Sequence, residues 1–291
     1  MKTRFILFGQ RNGRFMNNKI WHIPQLGNLE MHHASYTKQS FPKHTHEQYA
    51  FGVIEQGALG FYYRGENVIA GSGNISLCIP GEPHTGHPAT EEGWQYRMLY
   101  FDASFIQQIA SDLTNQPATI PYFKSGVIHD PDLARDIYNL HISLTSQPIS
   151  LLAQETAMLQ VFAKMIQRHA DDPPPQKKIQ DAHGSVLKVK RYIQEHHAED
   201  LSLDMLSQVA SLSRYHLIHT FTQIEGIPPH AYLRQERVHQ AKKLLTVGTP
   251  IAATAVSTGF TDQSHLNRWF KRFWGYTPGQ YRNSVQDQSI K

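Results

Sequence analysis

Cysteine is nearly missing from this sequence. The one present, Cys78, excludes an intrachain disulfide framework and any cysteine-built zinc module. Flanked by Leu77 and Ile79, it reads as an inert thiol buried in a strand. Long apolar runs are missing as well. No stretch nears the roughly 18 residues of a membrane span, and the apolar part of the opening MKTRFILFG is too short for a signal peptide. The protein is therefore expected in the cytoplasm with no membrane partner, and Met16 is a second candidate for the start. The sequence also lacks a nucleophile elbow, a P-loop and a dinucleotide fingerprint, which removes three common enzyme chemistries.

Charge is modest, at a net +4 over 291 residues, but it is spread unevenly. Residues 1–176 hold 13 Lys+Arg against 15 Asp+Glu, whereas residues 177–291 hold 15 against 9. A basic half is a candidate for polyanion binding, although an ordinary solvated face would give the same balance. The run Asp171-Asp172-Pro173-Pro174-Pro175 lies near the change of sign. Consecutive prolines cannot continue a helix and favour an extended spacer. The expected organisation is a domain over 1–170, a linker over 171–183, a second domain over 184–285 and a tail over 286–291.

The two halves differ in pattern. Residues 49–55, 59–64, 67–70, 75–79 and 95–101 are rich in aromatic and β-branched side chains, and Gly57, Gly60, Gly65, Gly71, Gly73 and Gly81 punctuate them. Short strands with glycine turns predict a small β-barrel or jelly roll. Helices are predicted over 103–113, 131–145 and 151–169. In the last, Met158, Leu159, Phe162, Met165 and Ile166 recur at helical steps, a stripe that suits either a dimer face or packing on the chain's own strands.

The second half reads as all helix, over 185–197, 203–210, 214–225, 229–245, 251–258 and 264–273, with a short turn at 278–281. Asp204, Ser213 and Asp262 are candidate N-caps, and Gly226, Gly248 and Gly275 stand where helices should stop. Two stretches share one layout of short helix, turn and second helix. Leu217 and Phe221 in one match Leu266 and Phe270 in the other, each pair four residues apart on one helix face. The remaining faces are polar: Tyr215, His216, His219, Thr222 and Gln223 in the first unit, and Gln263, Ser264, His265, Asn267, Arg268, Lys271 and Arg272 in the second. A helix with such a face fits a DNA major groove, where Arg or Lys reads guanine and Asn or Gln reads adenine. Two units in tandem within a basic domain are far more specific than one.

From about Ser185 to Arg282 the sequence resembles the AraC/XylS family of transcription regulators. The resemblance is carried by Val209-Ala210-Ser211-Leu212-Ser213-Arg214-Tyr215-His216-Leu217, Phe221, Gly226, Arg237, Gly259-Phe260, Leu266, Arg268, Phe270-Lys271 and Thr277-Pro278-Gly279-Gln280-Tyr281-Arg282. It implies two reading helices, joined by a long helix, entering successive major grooves. Carried over, the reading contacts fall on Tyr215, Ile218 and His219 in the first unit and on Gln263, Ser264, Asn267 and Arg268 in the second. Gln223, Lys271 and Arg272 are further candidates for DNA contact. Ile218 and His219 stand where many relatives have polar or arginine residues, so apolar contacts to thymine methyls are the expectation for the first helix. The implied partners are double-stranded promoter DNA, RNA polymerase and a second copy of the chain, with activation the family's usual mode.

The first half resembles the cupin-type sensor domain of such regulators, through His44-Thr45-His46, Gly57, Gly73 and Pro80-Gly81-Glu82-Pro83-His84. The whole is thus α+β: a cupin-like barrel with helices, then an all-α domain with two helix-turn-helix units. The resemblance implies a small effector inside the barrel, with His44, His46, Tyr49, His84, Trp94 and Tyr96 as candidate lining residues. His44 and His46 share a strand face, and His84 would complete three nitrogen ligands for a divalent metal. The glutamate that metal cupins add is absent, because Ala50 and Phe51 stand at the matching positions. No cofactor and no catalysis are therefore expected. The rival reading is a metal-dependent cupin enzyme with an accessory helical domain.

Overall fold

The computed structural model describes residues 18–146, 149–174 and 182–288. Most of the proline linker and the ends of the chain, Met16 included, lie outside the described residues. These fall into two compact units, taken here in turn.

The first unit begins with β1 (Lys19–Ile23), β2 (Leu29–Tyr36), β3 (Phe41–His44), β4 (Tyr49–Tyr63), β5 (Glu66–Gly71), β6 (Ile75–Cys78), β7 (His84–Pro88) and β8 (Trp94–Phe101). It continues through α1 (Ala103–Thr114), β9 (Val127–Ile128), α2 (Pro131–Ser146) and α3 (Leu151–His169) from Ala157 onward, the residues Ser150–Thr156 being counted with the second unit. All pairings are antiparallel, along the path β1-β2-β8-β4-β6-β9, with β5 and β7 paired to β4 and β3 to β7. The predicted strands 49–55 and 59–64 are thus one 15-residue strand. Its first half pairs with β6 and β8 and its second half with β5 and β7.

The change of partner is made by a register shift between Ile54 and Gln56, followed by Gly57 at φ +67°. Gly57, expected at a turn between two strands, is instead the hinge of a bulge within one strand. A Cβ there would lie 1.9 Å from the Gly93 carbonyl oxygen. Gly57→Ala is accordingly expected to lower stability by at least about 2 kcal/mol, the left-handed backbone and the backbone clash acting together. A urea midpoint equal to that of the parent chain would refute this.

The first half of β4 is buried on both faces. One face, with Ala50, Ile54, Trp94, Tyr96 and Met98, points into the barrel. The other carries Phe51 and Phe101, which meet Phe162 of α3 at ring separations of 5.7 and 4.6 Å. The stripe Met158, Leu159, Phe162, Met165 and Ile166 is wholly buried, and its central ring packs on its own sheet. It offers no free dimer face.

The second unit is helical: α4 (His183–Glu195), α5 (Leu203–Ala210), α6 (Arg214–Glu225), α7 (Pro229–Thr246), α8 (Ile251–Ser257), α9 (Gln263–Trp274) and α10 (Pro278–Gln288). Ser213 and Asp262 accept from the backbone N–H groups of His216 and His265, as N-caps do. Asp204 does not cap: Ser202 does, and Asp204 lies in the first turn. Gly226 and Gly275 end α6 and α9 in the left-handed conformation. The expected turn at 278–281 is a full helix, because Thr277 and Gln280 form a reciprocal capping box.

Candidate nucleic-acid interface and effector cavity

In α9, Leu266 and Phe270 are fully buried against Val238, Ala241 and Leu245 of α7. That anchor fixes which face is left outside. Gln263, Ser264, Arg268, Lys271 and Arg272 are exposed and Asn267 is half-buried. They form two adjacent rows at four-residue steps, 263–267–271 and 264–268–272. The Oδ1 atom of Asn267 is enclosed without a hydrogen-bond partner.

The outer face of α6 is narrower. Tyr215, His219 and Gln223 form one row, half-buried at Tyr215 and exposed at the other two. Ile218 is 4 % exposed and lies in the core beside Leu217 and Phe221. The expectation of a base contact there is corrected: the position that the resemblance assigns to reading faces inward in this chain. His216 is also buried, with its ring Nδ1 2.7 Å from the Ser213 hydroxyl, so it leaves the polar face too.

Two basic residues on α7 escaped the sequence reading. The Arg234 guanidinium stacks 3.9 Å from the Trp269 ring centroid, and Arg272 approaches the same ring at 5.1 Å. Burial, then Arg272, Arg237 and Arg268, push the Arg234 pKa down to about 10. Like charges held together are a standing demand for an anion. Lys242 lies 3.5 Å over Trp274. The Arg234–Trp269 and Lys242–Trp274 pairs join α7 to α9, and no spacing within a single helix announces them.

In the first unit a cavity of about 210 Å³ opens inside the barrel. His44, His46, His84, Trp94 and Tyr96 line it, along with His32, Tyr36, Phe41, Cys78 and Tyr100. No lysine, arginine or carboxylate does so among the described residues. Tyr49 is the exception among the sequence candidates. Its hydroxyl donates to the Pro121 carbonyl at 2.9 Å and its ring stacks on Phe101. Strand alternation gives the inward place to Ala50 instead.

The three histidines gather closely. His84 lies 4.4 Å from His44 and 4.8 Å from His46 between ring centroids. Each Nδ1 is bonded to a backbone carbonyl: His44 to Pro42 at 2.8 Å, His46 to Gln48 at 2.5 Å and His84 to Glu82 at 2.9 Å. Burial lowers the pKa of His46 and of His84. The Trp94 indole nitrogen is buried with no partner. Among the described residues, no three histidine, cysteine or carboxylate groups are arranged to hold a metal ion.

Behind the cavity wall lies a buried polar network that the sequence did not announce. The Arg97 Nε donates to Glu55 at 2.7 Å, and His33 and Gln95 meet the other Glu55 oxygen. His141 of α2, 0 % exposed, donates from Nε2 to the carbonyl of His32 at 3.1 Å and receives Arg97 at its Nδ1. The same His32 turns its ring into the cavity wall.

Comparison with known proteins identifies the domain that each unit resembles. Residues 26–162 match the AraC-like ligand binding domain, and residues 206–284 match a helix-turn-helix domain. The chain is 31% identical over 238 residues to YbfI, an uncharacterized HTH-type transcriptional regulator of Bacillus subtilis, covering 82% of this chain and 86% of that one. It is 25% identical over 255 residues to the arabinose operon regulatory protein of Escherichia coli, covering 80% and 84%. Among solved structures, ToxT from Vibrio cholerae aligns with 89% of this chain and 97% of its own at 11% identity and a TM-score of 0.37. No helix among the described residues is long and apolar enough to cross a membrane. The chain belongs to the AraC-type DNA-binding transcriptional regulators, with a ligand-binding domain followed by a helix-turn-helix domain.

Proposed function

We propose that this regulator is an activator controlled by a small molecule held in the barrel cavity. The observation that carries the DNA half is α9: two rows of hydrogen-bonding side chains, held outward by Leu266 and Phe270 in the core. Arg268, Asn267, Gln263 and Ser264 read bases, while Lys271, Arg272, Arg234 and Lys242 hold phosphates. In α6, Tyr215, His219 and Gln223 touch the neighbouring major groove, about 34 Å away. RNA polymerase and a second copy of the chain are the further partners of this reading. The enzyme reading has less support, because the relatives matched over most of the chain are transcriptional regulators.

Selection of bound fragments from sheared genomic DNA, near physiological salt, tests the proposal. A shared two-part site supports it, and sequence-blind binding with or without cell extract refutes it. Within the recovered site, Arg268→Ala is expected to lose about 1–3 kcal/mol and to relax one base position. Arg234→Gln should instead weaken every sequence alike and reduce the salt slope by about one. A base-specific loss from Arg234→Gln would overturn its assignment to the backbone.

A further inference from the structure

We propose that Trp269 is a positioning residue for DNA: its indole holds the guanidiniums of Arg234 and Arg272 together, so that both grip one backbone phosphate. This rests on the reading of α9 as the base-reading helix and adds the device that fixes that helix against the duplex.

The argument starts from the ring. Trp269 is half-buried and packs beside Val238, Ala241, Leu266 and Phe270 in the core of the helical unit. Two helices bring a cation to it. The guanidinium carbon of Arg234, on α7, lies 3.9 Å from the ring centroid, and that of Arg272, in the last turn of α9, lies 5.1 Å from the same point. A guanidinium stacked on a ring uses its flat face and keeps the N–H donors in its plane. Without the ring, each long side chain would spread over many rotamers, and ordering it when DNA arrives would cost affinity. Two guanidiniums gathered at one ring are close enough for a single phosphate. Each of its terminal oxygens can accept from one arginine at about 2.7–2.9 Å.

The charge balance points the same way. Burial, then Arg272, Arg237 and Arg268, act on Arg234, and each of them disfavours its charge. Arg237 is already bound to three carbonyls, and Arg268 belongs to the base-reading row, so Arg272 is the guanidinium that shares an anion with Arg234. A role for Trp269 in packing alone would leave two like charges held together with nothing to offset them. A base edge carries no net charge and fits worse. A phosphate supplies one negative charge and two acceptors facing two donors. Because Arg234 belongs to α7 and Arg272 to α9, one phosphate held by both ties the two helices to the same point of the duplex. Contacts of that kind fix register, and so they decide which bases α9 meets.

The test uses the full chain and the DNA site recovered by fragment selection, with one phosphate at a time replaced by a neutral methylphosphonate. In the parent chain, one such replacement should weaken binding at least about tenfold. Arg234→Gln and Arg272→Gln should each shrink the cost at that same linkage, and their combined loss should be smaller than the product of the single losses. Trp269→Leu keeps an apolar side chain and both charges. It should weaken binding about five- to thirtyfold and shrink the cost at that linkage alone. Trp269→Phe keeps a ring face and should stay within about threefold of the parent. Sensitivity of the two arginines to different linkages, losses that multiply, or equal weakening by leucine and phenylalanine would each overturn the proposal. A leucine variant that loses affinity evenly at every linkage, as a merely structural role requires, or loses none, would overturn it too. Should Trp269→Leu fail to fold, the arginine variants and Trp269→Phe decide. If selection yields no shared site, the reading of α9 fails by itself. The single and combined arginine losses, measured at low salt on an arbitrary duplex, then still decide whether the two share a phosphate.

Discussion

Arg237→Met is expected to destabilise the helical unit by at least about 3 kcal/mol and to abolish specific DNA binding. Arg237 is a buried residue of α7, 7 % exposed. Its guanidinium donates to three carbonyls, each at 2.7 Å: His197 and Glu199, between α4 and α5, and Gly259, in the turn between α8 and α9. Methionine keeps much of the stem and removes every donor, so three buried carbonyls lose their partner at about 1–3 kcal/mol each. Lysine should rescue little, since one ammonium cannot reproduce a planar fork. The turn at Gly259 sets the entry of α9, so affinity should fall even where the variant is still folded. Urea unfolding and operator titration check both parts. A stability within about 1 kcal/mol of the parent would show that the fork is dispensable.

The ligand-binding unit should lose stability steeply in acid. Burial, then the neighbouring Arg97, lower the His141 pKa to about 3 from 6.5. Below pH 6.5 the unfolded chain takes up a proton that the folded chain refuses. Stability is therefore complete above pH 6.5 and falls by about 1.4 kcal/mol per pH unit on the way to 3. Glu55 adds to this from lower down. Burial alone would raise its pKa, but hydrogen bonds from His33 and Arg97 bring it to about 2 from 4.5. Its contribution is present above pH 4.5 and is lost as the pH falls toward 2. The slope should roughly double below pH 4.5. Trp21 lies edge-on to His141 at 5.4 Å, so tryptophan fluorescence in urea follows the event. His141→Gln should flatten the slope between pH 7 and 5, and an unchanged slope there would refute the assignment.

The helical half was the more legible in sequence, for reasons visible in single residues. Helix period, capping hydroxyls and stop glycines are local signals, and Ser213, Asp262, Gly226 and Gly275 each mark their helix end in the structure. Ile218 was misplaced because burial depends on how α6 rolls against its neighbours, which a family position does not state. Arg237 and Arg234 act through partners more than 20 residues away, so only the fold reveals their role. The barrel was less legible. β1, β2, β3 and β7 are short or rich in histidine, and the bulge near Gly57 makes one strand look like two. Tyr49 and Ala50 differ only in the parity of their strand, and sequence alone gave the wrong choice. The other five candidates do meet at one cavity: alternation along β7 and β8 brings His84, Trp94 and Tyr96 inward, and His44 at the end of β3 and His46 in the loop after it join them.

Cys78 gives the cavity a reporter of its own. It is the sole thiol in the chain, it lines the cavity at 5 % exposure, and burial, followed by Glu82, pushes its pKa up to about 12. A neutral, enclosed thiol neither ionises nor oxidises readily. Oxidation and alkylation of Cys78 are therefore expected to be slow while the barrel stays closed. The rate of labelling by a small thiol reagent then measures how often the barrel breathes, and a bound effector should slow that clock without any chemistry of its own.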